Sequence, residues 1–183
     1  MKETTTDTEL ATHLYQLCYR TGEFKLRSGK TSHEYFDKYQ FEARPKTLRR
    51  IAKALGSMIP GSIDYLAALE LGGIPIATAL ALETGFEMVF VRKKPKDYGT
   101  CRFAEGPEIR GKRLLLIEDV ITTGGQVVMS ANDLRSEGAV VEHVLAVLDR
   151  SGGDHSKLIG AGLTLNALFT MDDLKAAQAN SAT

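Results

Sequence analysis

The chain has 183 residues, 43% hydrophobic and 25% charged, the length and balance of one globular domain and not of a fibrous or disordered chain. Its 23 basic and 23 acidic residues cancel, so no bulk field exists to hold a nucleic-acid backbone or an anionic membrane, and any anion must be gripped locally. Two cysteines without zinc-site spacing, an N-terminus without an apolar leader and no window near the ~20 apolar residues of a membrane helix lead us to expect a protein of the reducing cytoplasm.

From Asp7 to Arg20, Leu10, Leu14, Leu17 and Cys18 recur at three- and four-residue steps behind hydroxyl and acidic residues, which predicts a helix. FKLRSGK reads as strand and turn, with the turn at Ser28-Gly29, and the aromatic run from Tyr35-Phe36 through Tyr39 and Phe41 reads as the returning strand of a hairpin. Beyond Pro45 the pattern becomes rhythmic: helix over 46–58, strand IDYLAALE, helix after Gly73, strand MVFVR, a long polar loop, strand RLLLIEDV, helix over 125–137, strand VVEHVLAVLD. Strands alternating with helices predict βαβ units and a mostly parallel central sheet flanked by helices, an α/β fold. Leu114–Ile117 and Val144–Leu148 read as strands buried on both faces. After Arg150 come a Gly-rich turn, a strand over Thr164–Phe169 and a short helix from Asp172, with AQANSAT expected to fray.

In such folds ligands bind beyond the carboxyl ends of the strands, which directs attention to RLLLIEDVITTGGQV. A buried strand ends in Glu118-Asp119, and Thr122-Thr123-Gly124-Gly125 then leads into a helix. Glycines expose successive N–H groups, threonine hydroxyls add donors and the helix N-terminus adds positive potential, a combination suited to a phosphate monoester. The loop lacks the Gly-Lys-Ser/Thr ending of a Walker loop and is not a dinucleotide GxGxxG. Two carboxylates beside a phosphate cradle repel the anion unless they face another part of the ligand, and vicinal sugar hydroxyls are their natural partner. The plainer alternative is an ordinary helix start with acids placed for the dipole. Between two core strands, VRKKPKDYGTCRFAEGPEIRGK concentrates Arg92, Lys93, Lys94 and Lys96. It reads either as a solvated charged loop or as a closing loop that brings cations to an acidic leaving group. The four histidines have no metal-ligand spacing and none is assigned a role.

EDVITTGG resembles the phosphoribosylpyrophosphate-binding motif of the type I phosphoribosyltransferases, and RKKPKDYGT is similar to the catalytic loop of the orotate phosphoribosyltransferases. The likeness extends to FKLRSGKTSHEYF, ELGGIPIATAL and the LDR that ends the later strand, covering most of residues 20–152. It implies a type I phosphoribosyltransferase-like fold over 1–183, with a core at about 45–150 and a small hood, including the hairpin, from about 1–44 and 151–175. It implies transfer of a 5-phosphoribosyl group from phosphoribosylpyrophosphate to orotate with Mg²⁺, in a homodimer whose catalytic loops reach into neighbouring sites.

Residue by residue, the resemblance puts Glu118 and Asp119 on the ribose hydroxyls, and Val120, Ile121, Thr122, Thr123, Gly124, Gly125 and Gln126 around the 5-phosphate. Arg92, Lys93, Lys96 and Tyr98 fall on the diphosphate side, with Asp97 orienting the lysine; Arg92, Lys96, Asp97 and Asp119 form the catalytic set. Arg27, Tyr35, Phe36, Thr122 and Arg150 fall to orotate. From the residues alone, Arg150 also reads as a surface arginine paired with Asp149 or Asp154. Mg²⁺ is expected to be held mainly through the substrate. Three positions depart from the family pattern: Arg27 for a hairpin lysine, Tyr98 for a loop histidine and Gly72 for a lysine found in many members. Arg27 and Tyr98 keep transfer to another base or aromatic acid in view as a rival; a rival of a different class is a non-catalytic sensor of phosphoribosylpyrophosphate, against which the intact basic loop and the neutral net charge speak.

Overall fold

The computed structural model describes residues 3–25, 29, 31–94 and 103–181. Arg27, Lys96, Asp97 and Tyr98, all singled out above, lie outside them, as does Cys101. The first helix, α1 (Glu3–Cys18), runs directly into the hairpin β1 (Tyr19–Lys25) and β2 (Thr31–Phe36), an antiparallel pair. The returning strand stops at Phe36, because Tyr39–Glu42 form a helical turn, α2, instead of continuing it. The aromatic alternation suggested a longer strand, but Phe36 and Phe41 both turn inward, their ring centroids 6.3 Å apart. Helix α3 (Pro45–Gly56) starts where sequence chemistry allows: Arg44 is extended, as a residue before proline prefers, and Pro45 takes the first helical turn.

There follow β3 (Tyr65–Leu69), α4 (Gly73–Thr84), β4 (Met88–Val91), the short β5 (Ala104–Glu105), β6 (Arg113–Ile121), α5 (Gly125–Ser136), β7 (Val140–Asp149), α6 (Ser156–Gly160), β8 (Thr164–Thr170) and α7 (Met171–Ser181). The sheet order is β5-β4-β3-β6-β7-β8, parallel except for the β4/β5 pair. From β3 the chain goes outward to β4 and β5, then returns to β6 on the other side. The strand order therefore reverses between β3 and β6, and a crevice opens beyond their carboxyl ends.

Period-two alternation sends neighbouring residues of each strand to opposite faces. Leu115 and Ile117 join Leu66, Leu145 and Val147 under α1, α2, α3, α4 and α7, while Leu114 and Leu116 join Leu69, Val144 and Ala146 under α5 and α6. Two cores back to back explain why these strands are apolar without interruption. On the first face α7 closes the layer against α1. Gln16 donates to Gln178 at 3.0 Å, and Lys175 reaches Glu34 on β2 at 3.0 Å. The C-terminal stretch expected to fray is thus helical through Ser181, with Leu174 and Ala177 buried. Leu174→Ala is expected to lower stability by about 2–5 kcal/mol in urea unfolding, the cost of an uncollapsed core cavity, whereas a loss below ~0.5 kcal/mol would show that α7 is not docked.

Candidate active site at the strand switch

Beyond β6 the chain makes a shallow hollow of about 570 Å³, lined by Glu118 and residues 120–127. Gly124 supports its shape with a left-handed backbone (φ 68°), after which α5 begins and Val128 N–H donates to the Gly124 carbonyl at 3.0 Å. The amides before Val128 have no preceding helical carbonyl and remain available at the positive end of a three-turn helix. Thr122, Thr123 and Gln126 are exposed around them. The TTGG run thus forms a hollow onto which a helix N-terminus and exposed hydroxyls open.

The two acids that precede it differ sharply. Asp119 is 1% exposed and accepts from Lys38 Nζ, an ion pair linking β6 to α2 across 81 residues of sequence. Glu118 lies closer to the hollow, with Oε2 buried and no partner among the described residues. Burial first and the Asp119 charge second push its carboxyl up to about 8, with Lys38 and Lys93 opposing. Glu42, one helical turn beyond Lys38, is raised as well, by burial and by Asp119. Burial works to lower Lys38, but the hydrogen bond and charge of Asp119 outweigh it and the net direction is up. Neither Lys38 nor Glu42 was singled out in the sequence, because FDKYQF reads there as strand.

The turn after β3 completes the crevice. The Glu70-Leu71 peptide is cis, and Glu70 Oε1 accepts from the Lys93 backbone N–H at 2.6 Å, tying this turn to the chain after β4. A Cβ at Gly72 would fall on the Asp119 carboxylate and within 2.9 Å of Lys38 Nζ, and one at Gly73 would strike the Ile117 carbonyl. Both positions are glycine because α4 begins pressed against the end of β6. Arg92 follows β4, its backbone N–H donating to the Phe103 carbonyl at 3.0 Å. Its buried Nε has no partner among the described residues.

Arg150 N–H donates to the Ile121 carbonyl at 2.8 Å, fixing the end of β7 beside the cradle. Of the two surface partners considered for its side chain, Asp149 is occupied: its carboxylate accepts from Ser151 N–H at 2.8 Å and pairs with His155 Nε2 at 2.7 Å. The Arg150 charge is felt instead by Glu34 on the hairpin. Tyr35 exposes its ring and stacks on Phe24, with centroids 5.2 Å apart. Phe36 is 4% exposed and belongs to the core, so of the two aromatic residues expected beside a planar ligand only Tyr35 presents its ring at the surface. Alternation requires this: adjacent residues of one strand cannot present the same face.

Chemically, the crevice offers amide and hydroxyl donors for a phosphate, carboxylates for a diol and, from the chain after β4, cations for a second anion. No group of three or more ligating side chains able to hold a metal occurs among the described residues. The hard oxygens of Glu118 and Asp119 suit a cation such as Mg²⁺ that brings its own waters and a phosphate ligand. Cys18 is buried and its thiol pushed up to about 12 by burial, which leaves it inert. None of the helices described is long and apolar enough to cross a membrane.

A phosphoribosyl transferase domain model matches residues 39–163. The orotate phosphoribosyltransferase of a Nocardioides species is 47% identical over 174 residues, 95% of this chain and 97% of that protein. Among solved structures, the UMP synthase of Leishmania donovani matches with a TM-score of 0.83 at 28% identity, over 96% of this chain; the chain spans 39% of that protein. The orotate phosphoribosyltransferase of Mycobacterium tuberculosis in complex with 5-phospho-α-D-ribosyl 1-diphosphate matches with a TM-score of 0.77 at 25% identity, over 93% of this chain and 99% of that one.

The raised Glu118 carboxyl has a consequence for stability. Its folded value, about 8, lies above the ordinary 4.5, so its contribution is fully present below pH ~4.5 and is lost as pH rises toward 8. Glu118→Gln, which keeps the shape and cannot ionise, is expected to leave the melting temperature unchanged near pH 5 and raise it relative to the parent near pH 8. Parallel pH profiles for the two proteins would show that Glu118 titrates normally.

Proposed function

The chain belongs to the phosphoribosyltransferase family and, by its 47% identity over 95% of its length, to the orotate phosphoribosyltransferases within it; we propose that it transfers the 5-phosphoribosyl group from phosphoribosylpyrophosphate to orotate. The products are orotidine 5′-phosphate and diphosphate, a step in making UMP. The observation that carries this reading is the juxtaposition at one strand end of a phosphate cradle, Thr122–Gln126, with the two carboxylates of Glu118 and Asp119.

The 5-phosphate takes the amides and hydroxyls of Thr122, Thr123, Gly124, Gly125 and Gln126, and the carboxylates of Glu118 and Asp119 accept from the ribose hydroxyls. Displacement at the anomeric carbon builds positive charge on the sugar and negative charge on the departing diphosphate. Arg92, Lys93 and Lys96 stabilise that departing charge, Asp97 orients Lys96, and Tyr98 lies on the same side. Mg²⁺, held mainly by substrate oxygens, supplies further neutralisation of the diphosphate. Orotate is a planar ring bearing a carboxylate, suited to an arginine fork from Arg150, a hydroxyl from Thr122, the ring of Tyr35 and the charge of Arg27. The loop after Arg92 serves the neighbouring subunit of a homodimer, and the enzyme works in the cytoplasm on small molecules, without nucleic acid.

Incubation with phosphoribosylpyrophosphate, Mg²⁺ and a panel of bases is expected to consume orotate, followed by the loss of its ultraviolet absorbance. Turnover of another base with orotate untouched would overturn the assignment, and binding of phosphoribosylpyrophosphate without turnover of any base would make the protein a sensor. Lys96→Ala is expected to lower kcat by roughly 10²-fold or more while changing phosphoribosylpyrophosphate affinity little, the mark of a group acting in the transition state. Turnover equal to the parent would remove Lys96 from the mechanism.

A further inference from the structure

Lys38 occupies a place that none of the assigned site residues accounts for. It stands at the start of α2, and its side chain crosses to the end of β6, where its ammonium meets Asp119. That space is free only because residue 72 is glycine: a Cβ there would sit on the Asp119 carboxylate and 2.9 Å from Lys38 Nζ. A backbone turn, a strand end and a lysine from a separate element thus converge on one point of the crevice.

The two members of the pair are unequally exposed. Asp119 is 1% accessible and Lys38 29%, so the open side of the pair belongs to the ammonium. An ammonium has three donors, and one serves Asp119. The Tyr39 ring, 5.3 Å away, supports the charge without consuming a donor. Two further carboxylates, Glu42 and Glu118, feel the same cation. Lys38 thus sets a cation among three acidic side chains, and its charge acts on two of them from outside its own ion pair.

We propose that Lys38 is a phosphoribosylpyrophosphate-binding residue, its ammonium entering from α2 through the space left by Gly72 and donating to the ribose-diphosphate end of the substrate while still paired with Asp119. The inference rests on the transferase reading above. It assigns Lys38 a role distinct from that of Arg92 and Lys96, which follow β4. Lys38 is in place before substrate arrives, so it strengthens ground-state binding, and its loss moves KM more than kcat.

The test is calorimetric titration of the parent, Lys38→Met and Lys38→Arg with phosphoribosylpyrophosphate and Mg²⁺, alongside steady-state kinetics and melting curves. Lys38→Met is expected to weaken phosphoribosylpyrophosphate binding by ~10-fold or more, as for a lost hydrogen bond to a charged group, with kcat and the KM for orotate within ~3-fold of the parent. Lys38→Arg, which keeps the charge, is expected to recover most of the affinity. Binding by Lys38→Met within ~2-fold of the parent would overturn the proposal. So would a lowered melting temperature with both KM values rising together and no rescue by arginine, the pattern of a mere buttress for Asp119. Should Lys38→Met not fold, Lys38→Gln carries the same comparison. The titration needs no base: a parent that binds phosphoribosylpyrophosphate yet leaves orotate untouched defeats the transfer assignment alone, and a parent that does not bind it defeats both.

Discussion

A carboxylate held at 1% exposure beside the strand switch must be paired, and the pairing of Asp119 with Lys38 is the constraint around which the site is built. Leaving either partner buried and alone is costly, so the elements that bring them together are not free to vary independently. The hairpin has to end at Phe36, α2 has to turn the chain back toward β6, and residue 72 has to lack a side chain. The aromatic contact of Phe36 with Phe41 anchors α2 in the core and so aims Lys38.

The same arrangement separates opposite charges over a few residues. Acids gather at the end of β6, amides and hydroxyls follow at the start of α5, and Arg92, Lys93 and Lys94 lie after β4 on the other side of β3. A ligand carrying a phosphate, a diol and a second anion matches this order, whereas a simple polyanion meets carboxylates in its path. Net neutrality of the chain is therefore the sum of opposed local fields, and it is their placement that selects the ligand.

The N- and C-terminal segments meet on one side of the sheet. Lys175 on α7 pairs with Glu34 on β2 and lies 5.7 Å from the ring of Tyr19, while Arg150 acts on the same Glu34. The hairpin that carries Tyr35 is thus tied both to the last helix and to the strand end beside the cradle. The hairpin and the strand end beside the cradle therefore share one framework.

The alternating strands and helices from Pro45 to Asp149, the burial of Leu114–Ile117 on both faces and the cradle after Asp119 were all legible in the sequence, because each is written in consecutive residues by periodicity or by turn chemistry. Short-range signals misled where two periods overlapped: FDKYQF alternates like a strand, and only packing of Phe36 and Phe41 on a common core turned it into strand, bend and helix. The tail was underestimated because docking of Leu174 depends on α1, at the other end of the chain. Sequence by itself determined the layered sheet and the glycine turn that opens α5. Tertiary structure decided that Lys38, Gly72 and Asp119 form one unit, since a side chain reaching across 81 residues into a vacancy left by a third leaves no periodic trace, and the cost of an unpaired buried carboxylate is felt only after the chain has folded.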